Sequence, residues 1–242
     1  MTLISVLTPC TRVESLAELA GTVLGQAGVE LEWIVQLDGA AREREDEVRA
    51  LLPRDERVRV EANPQPAGSG TTRNLALLRA RGQRVLCVDD DDLLAPGGLA
   101  RLAAALDEHP ECFAAWGASH VFTDDVTAAE PFKTWPAEGV IDPGVIMRRF
   151  QESGEFDVHV GACLWRRDHL EAVGGYAALL RSIDTNPFIA CQRRHPLVYV
   201  DVPVYLYRQH AGQMTRSDHY RELRERTHAF TFRRADHLAD LW

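Results

Sequence analysis

The stretch Arg84–Leu94, R-V-L-C-V-D-D-D-D-L-L, constrains this chain more than any other. Val85, Leu86, Cys87 and Val88 form an apolar run of the length of a buried strand, and Asp89, Asp90, Asp91 and Asp92 follow at its carboxyl end. In open α/β sheets the ligand sits in the crevice beyond the carboxyl ends of the strands. Adjacent carboxylates repel one another unless a cation lies among them, and hard oxygen ligands that share their ion with substrate phosphates suit Mg²⁺ or Mn²⁺. A plain cap for a helix starting near Pro96 needs one aspartate, or two. The pattern therefore points to a metal–phosphate site.

The segments before it set the frame. Leu3–Leu7 reads as a buried strand stopping at Thr8-Pro9, residues 13–27 as a helix, and Leu31–Leu37 as a second strand ending at Asp38-Gly39. A charged helix runs through Leu52, and a third strand lies near Val58–Val60. This β-α-β-α-β rhythm implies a parallel sheet with right-handed crossovers. The loop Pro64–Gly70 feeds a helix over Thr71–Arg81, and a further helix is expected over 97–108. Beyond that, Cys112–Trp116 and His120–Phe122 read as two short strands, and residues 123–145 as a long loop or lid. Val158–Trp165 and Leu197–Val202 read as strands, Asp168–Val173 and Asp184–Arg194 as helices, and the tail from Ser217 as a polar helix.

With 242 residues the chain can bury a substantial core. A net charge of −9 excludes nucleic acid as the main partner, though not a nucleotide, whose few phosphates one metal and one arginine can neutralise. Cys10, Cys87, Cys112, Cys163 and Cys191 are widely spaced and read as reduced, buried thiols. Neither a signal segment nor a membrane-length apolar run is present, so a cytoplasmic protein is expected, with peripheral membrane contact left open. Lys133 is the sole lysine.

Because parallel strand ends converge on one edge, Thr8-Pro9, Asp38 and Asp89–Asp92 are expected around a single pocket. The carboxylate of Asp38 could accept from a nucleobase N–H, or belong to an ordinary Asp-Gly turn. Arg73, in the first turn of the helix after the glycine loop, could pair with a phosphate. Asp157 and His159 flank a strand end and are candidates to reach an acceptor; Trp135 and Phe132 could stack on a sugar or lipid, or form a lid's own small core. Asp124-Asp125 reads as a solvated turn, and His219, His228 and His237 as solvated.

The ordered set Thr8-Pro9, Asp38-Gly39-Ala40, G-x-x-x-x-Arg73-Asn74, Asp89-x-Asp91-Asp92, Val173-Gly174-Gly175-Tyr176, Ile183-Asp184 and Tyr207-Arg208-Gln209-His210 resembles the family 2 glycosyltransferases of the GT-A fold over most of residues 3–215. The resemblance implies a single Rossmann-like, mostly parallel sheet flanked by helices. Residues 1–216 would form the GT-A domain, with a donor half at 1–122 and an acceptor and base half at 123–216, and 217–242 a helical tail. It implies that Thr8, Pro9, Asp38, Arg73, Asp89 and Asp90 bind the nucleotide donor. Asp91 would ligate Mn²⁺ or Mg²⁺ with help from His210, Asp184 would be the general base, and Trp135, Asp157 and His159 would lie toward the acceptor. The implied reaction is inverting transfer of a sugar from a nucleoside-diphosphate sugar, UDP-linked by preference, to an acceptor hydroxyl.

Two positions depart from the family pattern: Ile183-Asp184 replaces an acidic pair, leaving Asp184 alone as base, and Leu37-Asp38-Gly39-Ala40 replaces D-D-G-S. A degenerate, binding-only homologue is the alternative from another class. A sugar-nucleotide pyrophosphorylase fits less well, because its glycine loop follows the first strand. The tail helix leaves dimerisation and membrane contact open.

Overall fold

The apolar runs become strands of one ten-stranded sheet. The computed structural model describes residues 1–179, 181–213 and 218–241, and omits the side chains of 219–221 and 224–229. In the first half, β1 (Ile4–Cys10), β2 (Leu31–Leu37), β3 (Val58–Ala62) and β4 (Arg84–Cys87) pair in parallel in the order β3-β2-β1-β4. β1 and β2 are buried along their whole length, as expected of strands covered by helices on both faces. α1 (Leu16–Leu24) buries its apolar stripe of Leu16, Leu19, Ala20 and Val23. α2 (Glu45–Leu51) and α3 (Ser69–Arg79) make the other crossovers.

Beyond the acidic segment, β5 (Leu93–Leu94), α4 (Gly98–Glu108), β6 (Ala114–Phe122), β7 (Glu130–Lys133), β8 (Gly139–Ile141), α5 (Val145–Ser153), β9 (Cys163–Arg166), α6 (Arg167–Ala172), α7 (Thr185–Gln192) and β10 (Leu197–Arg208) complete the sheet and its cover. β9 runs antiparallel between β4 and β6, and β6 and β10 are parallel to each other. The carboxyl ends of β1, β2, β3, β4, β6 and β10 and the amino end of β9 therefore share one edge. α8 (Asp218–Asp240) packs on α7, where Asn186 Nδ2 donates to the Thr231 carbonyl at 2.7 Å, and on α5, where Phe232 stacks on Phe150 at 5.0 Å.

Five expectations about elements are corrected. β1 does not stop at Thr8-Pro9. The Cys10 carbonyl accepts from Asp38 N–H on the β2 side and the Leu7 carbonyl from Val88 N–H on the β4 side. By alternation Pro9 turns its missing N–H toward β4, whose pairing with β1 has already ended at Leu7. Cys112–Trp116 and His120–Phe122 are parts of the single strand β6, because Gly117 allows the close approach of Val204. The 123–145 segment is not one loop: β7 and β8 lie within it, paired to β6 and β10. Val158–Trp165 is strand only from Cys163, after a 3₁₀ turn at Val160–Ala162. β10 continues past Val202 to Arg208, interrupted by register shifts near Pro203.

All five cysteines are free thiols, four of them buried. Among the described residues no helix is long and apolar enough to cross a membrane. Trp242 and the side chains of His219 and His228 lie outside the description, and Asp125 caps its own turn by accepting from Thr127 N–H at 2.9 Å.

Candidate active site

At the shared edge lies a cleft of about 760 Å³. It is lined by Pro9, Arg12, Asp38, Arg73 and the four aspartates, together with Phe132, Lys133, His159, Asp184 and Tyr207. The aspartates occupy a tight turn in which Asp92 N–H donates to the Asp89 carbonyl at 3.2 Å. Within it their side chains separate into two pairs.

Asp90 and Asp92 are buried and bind protein. Asp90 accepts from the backbone N–H groups of Thr11 and Arg12 at 2.7 and 2.8 Å, tying the end of β1 to the end of β4. Asp92 accepts from the Tyr205 hydroxyl at 2.7 Å and from Arg208 N–H at 2.8 Å, tying in β10. Burial pushes the Asp90 carboxyl up to about 6 against its N–H bonds. Burial and the neighbouring Asp91 and Asp89 push Asp92 well above the usual carboxylate range.

Asp89 and Asp91 bind cations. Asp89 pairs with the Arg73 guanidinium, and Asp91 with both the Arg12 guanidinium and His210, whose Nε2 stands 3.0 Å from Asp91 Oδ2. Burial, offset in part by Arg73, and then the charges of Asp91 and Asp184 raise the Asp89 carboxyl. Such a cluster favours additional positive charge.

α3 places Arg73 and joins the two halves. Its neighbour Asn74 holds the glycine turn with two hydrogen bonds, Nδ2 to the Tyr176 carbonyl and Tyr176 N–H to Oδ1, both 2.8 Å. Gly175 sits at φ 73°, and a Cβ there would lie 2.5 Å from Asn74 Oδ1, so the turn needs glycine. Arg73-Asn74 thus faces the acidic turn with one residue and the glycine turn with the next.

Asp38 accepts from Ala67 and Gly68 N–H at 2.9 and 2.8 Å, which anchors the glycine loop. Burial alone would raise its carboxyl, but the backbone N–H bonds prevail and hold it below the ordinary value. Asp184 caps α7, accepting from Thr185 N–H at 2.7 Å. Two residues before it, Ser182 has φ 55°, the one positive value outside glycine among the described residues. A left-handed serine costs energy and marks a segment held in place by its surroundings.

The Glycosyl transferase family 2 profile matches residues 5–174. The chain belongs to that family. Solved structures with the same fold include TarS 1–349 of S. aureus in complex with UDP-GlcNAc, 20% identical with a TM-score of 0.67 over 88% of this chain and 60% of that one. TarS 1–349 in complex with UDP is also 20% identical, with a TM-score of 0.65 over 85% and 60%. The chain thus spans about 60% of the length of those TarS chains. A comparison with curated proteins returns no match.

Measured against the family pattern, Pro9, Asp38, Arg73, Asp89, Asp90, Asp91, His159 and Asp184 all line the cleft. Thr8 does not: it is fully buried and its Oγ1 accepts from Trp33 Nε1 at 2.9 Å, because its position on β1 turns it into the core. Trp135 packs edge-on against Trp116 at 6.0 Å under the Arg149 guanidinium, and Asp157 pairs with Arg149 at 2.5 Å; neither is among the cleft residues. Sequence reasoning missed Arg12, Arg208 and Tyr205. Arg208 donates from its backbone to Asp92 and from Nε to the Asp91 carbonyl at 2.9 Å, so the middle of the Y-R-x-H segment fixes the acidic turn. Arg12, two residues past Cys10, carried no local signal, because its partner Asp91 lies 79 residues away.

A carboxylate oxygen and an imidazole nitrogen are ligands that Mn²⁺ accepts, and Asp91 and His210 offer one of each. No group of three or more His, Cys, Asp or Glu among the described residues could hold an ion. The remaining positions would fall to water and substrate phosphates, as is usual for Mg²⁺-type sites.

Proposed function

We propose that this family 2 protein transfers a sugar from a nucleoside-diphosphate sugar, UDP-linked by preference, to an acceptor hydroxyl with inversion at the anomeric carbon. The observation that carries the reading is that Arg73, Asp89 and Asp91 share one cleft with Asp184. The UDP-GlcNAc and UDP complexes of TarS, which has the same fold, support the choice of nucleotide.

In this reading residues 1–122 bind the donor, residues 123–216 bring the acceptor and the base, and α8 is the tail that follows. Asp38 and Pro9 border the nucleobase. Arg73 pairs with the diphosphate once a phosphate competes for its Asp89 contact. Asp184 takes the proton from the attacking hydroxyl as the new bond forms on the face opposite the departing diphosphate. Mn²⁺ or Mg²⁺ held by Asp91 and His210 would neutralise charge growing on the leaving group. The buried pair Asp90 and Asp92 keeps the acidic turn rigid, so that Asp89 and Asp91 are oriented before the donor arrives.

Calorimetric titration of UDP, dTDP and GDP, with and without Mn²⁺, on wild type and Asp91→Ala tests this. Mn²⁺-dependent binding of UDP in wild type, lost in the variant, is expected. Absence of binding by a folded wild-type protein overturns the donor site, and binding without turnover of any UDP-sugar favours the binding-only homologue.

A further inference from the structure

We infer that Phe132 and Tyr207, with Lys133 at their side, form the acceptor subsite, and that the acceptor group they take is a pyranose ring. This rests on the proposed donor site and adds to it the class of acceptor.

A strand normally turns successive side chains to opposite faces. β7 breaks the rule at Phe132. Lys133 pairs with Ser119 of β6, but the next pair is Pro131 with His120, so two steps on β7 answer one on β6. The extra residue is Phe132, and a bulge of this kind re-aims side chains. As a result Phe132 and Lys133, though consecutive, both line the cleft.

Phe132 is 41% exposed, so its ring is open to the cleft it lines. It lies nearly parallel to Tyr207, with centroids 5.6 Å apart and an interplanar angle of 26°. His159 supports both rings edge-on or tilted, at 6.0 and 5.4 Å, and is itself held by a 2.7 Å hydrogen bond to Ser119 Oγ and by the Tyr205 ring at 4.8 Å. Lys133 Nζ, 5.6 Å from the Phe132 centroid, gives one hydrogen to the Phe156 carbonyl at 3.0 Å; an ammonium carries three.

A rigid aromatic surface with an ammonium beside it matches the apolar C–H face of a pyranose ringed by hydroxyls. An acyclic polyol presents no such face, and a long alkyl chain would leave the polar surroundings unused. Asp184 lines the same cleft, so a hydroxyl of a ring seated there has the proposed base within the same cavity.

Saturation-transfer NMR tests the assignment on the full chain with UDP and Mg²⁺ present. The probes are methyl pyranosides of glucose, galactose, mannose and N-acetylglucosamine at millimolar concentration, with sorbitol as the acyclic probe. At least one pyranoside is expected to receive saturation at its ring C–H protons in wild type and in Phe132→Trp, and to lose most of it in Phe132→Ala, while UDP signals persist in all three. Saturation of no pyranoside with UDP bound, equal saturation of sorbitol, or an unchanged signal in Phe132→Ala overturns the subsite. Pyranoside saturation without UDP binding retains the subsite and overturns the donor reading; silence from both overturns both.

Discussion

The guanidinium of Arg12 and the imidazole of His210 meet at one carboxylate oxygen, Oδ2 of Asp91. Arg12 Nη1 also lies 3.4 Å from His210 Nε2. The charge that a divalent ion would neutralise is thus already paired within the chain. Removing Arg12 should make the nucleotide-free protein a better metal binder, since two cations compete for that oxygen. Arg12→Ala is expected to bind Mn²⁺ several-fold more tightly than wild type when free ion is followed by electron paramagnetic resonance. Unchanged or weaker binding would show that Arg12 does not occupy the metal's place.

Asp184 has a separable role. Asn at this position keeps an oxygen to cap Thr185 N–H but cannot accept a proton. Asp184→Asn is expected to lower kcat by about 10²- to 10⁴-fold, the usual worth of a positioned general base. Its affinity for the UDP-sugar by calorimetry should stay within about threefold of wild type, since the residue would act only as the bond forms. A large loss of affinity with little change in kcat would instead make Asp184 a donor-binding group.

The Asn74–Gly175 contact predicts a coupled pair. Gly175→Ala places a methyl group 2.5 Å from Asn74 Oδ1 at φ 73°, and should cost on the order of 1–3 kcal/mol in urea unfolding. Adding Asn74→Ala removes the obstacle but leaves the backbone strain. The double variant should therefore be more stable than the sum of the two single losses indicates. Strict additivity would show that the turn tolerates the collision by moving.

His159 gives a pH dependence. Burial, with Lys133 adding to it and Asp184 opposing, lowers its pKa from 6.5 to about 4. Between those values the unfolded chain binds more protons than the folded one, so this residue's contribution to stability rises as pH increases from about 4 to 6.5 and is level above. Thermal unfolding of wild type and His159→Gln across pH 4–8 should give a difference curve with its slope confined to that window. A flat difference curve would place an ordinary histidine at 159.

Much of this was legible from local pattern. Val85–Val88 before the aspartates, Leu16, Leu19, Ala20 and Val23 on one helix face, and strand ends carrying Asp38 and Asp89 all follow from periodicity and from the convergence of parallel strands. What escaped depends on contacts distant in sequence. Thr8 is turned inward because β1 runs on through Pro9, and that depends on where β4 stops pairing. The position of Trp135 depends on Trp116 and Arg149, and the importance of Arg12 on Asp91, 79 residues away. The bulge at Phe132 has no signature in E-P-F-K; it exists only as a mismatch with β6.

The acidic turn gives four copies of one side chain two opposite occupations, and only place in the turn separates them. Substituting Asp90 or Asp92 should harm folding, whereas substituting Asp89 or Asp91 should spare the fold and harm ligand binding. Losing one residue from the run would leave its spelling almost unaltered while exchanging the carboxylates that tie in β1 and β10 for those that pair with Arg73, Arg12 and His210. Drift in this segment is therefore far more forgiving of replacement by a similar acceptor than of any change in length.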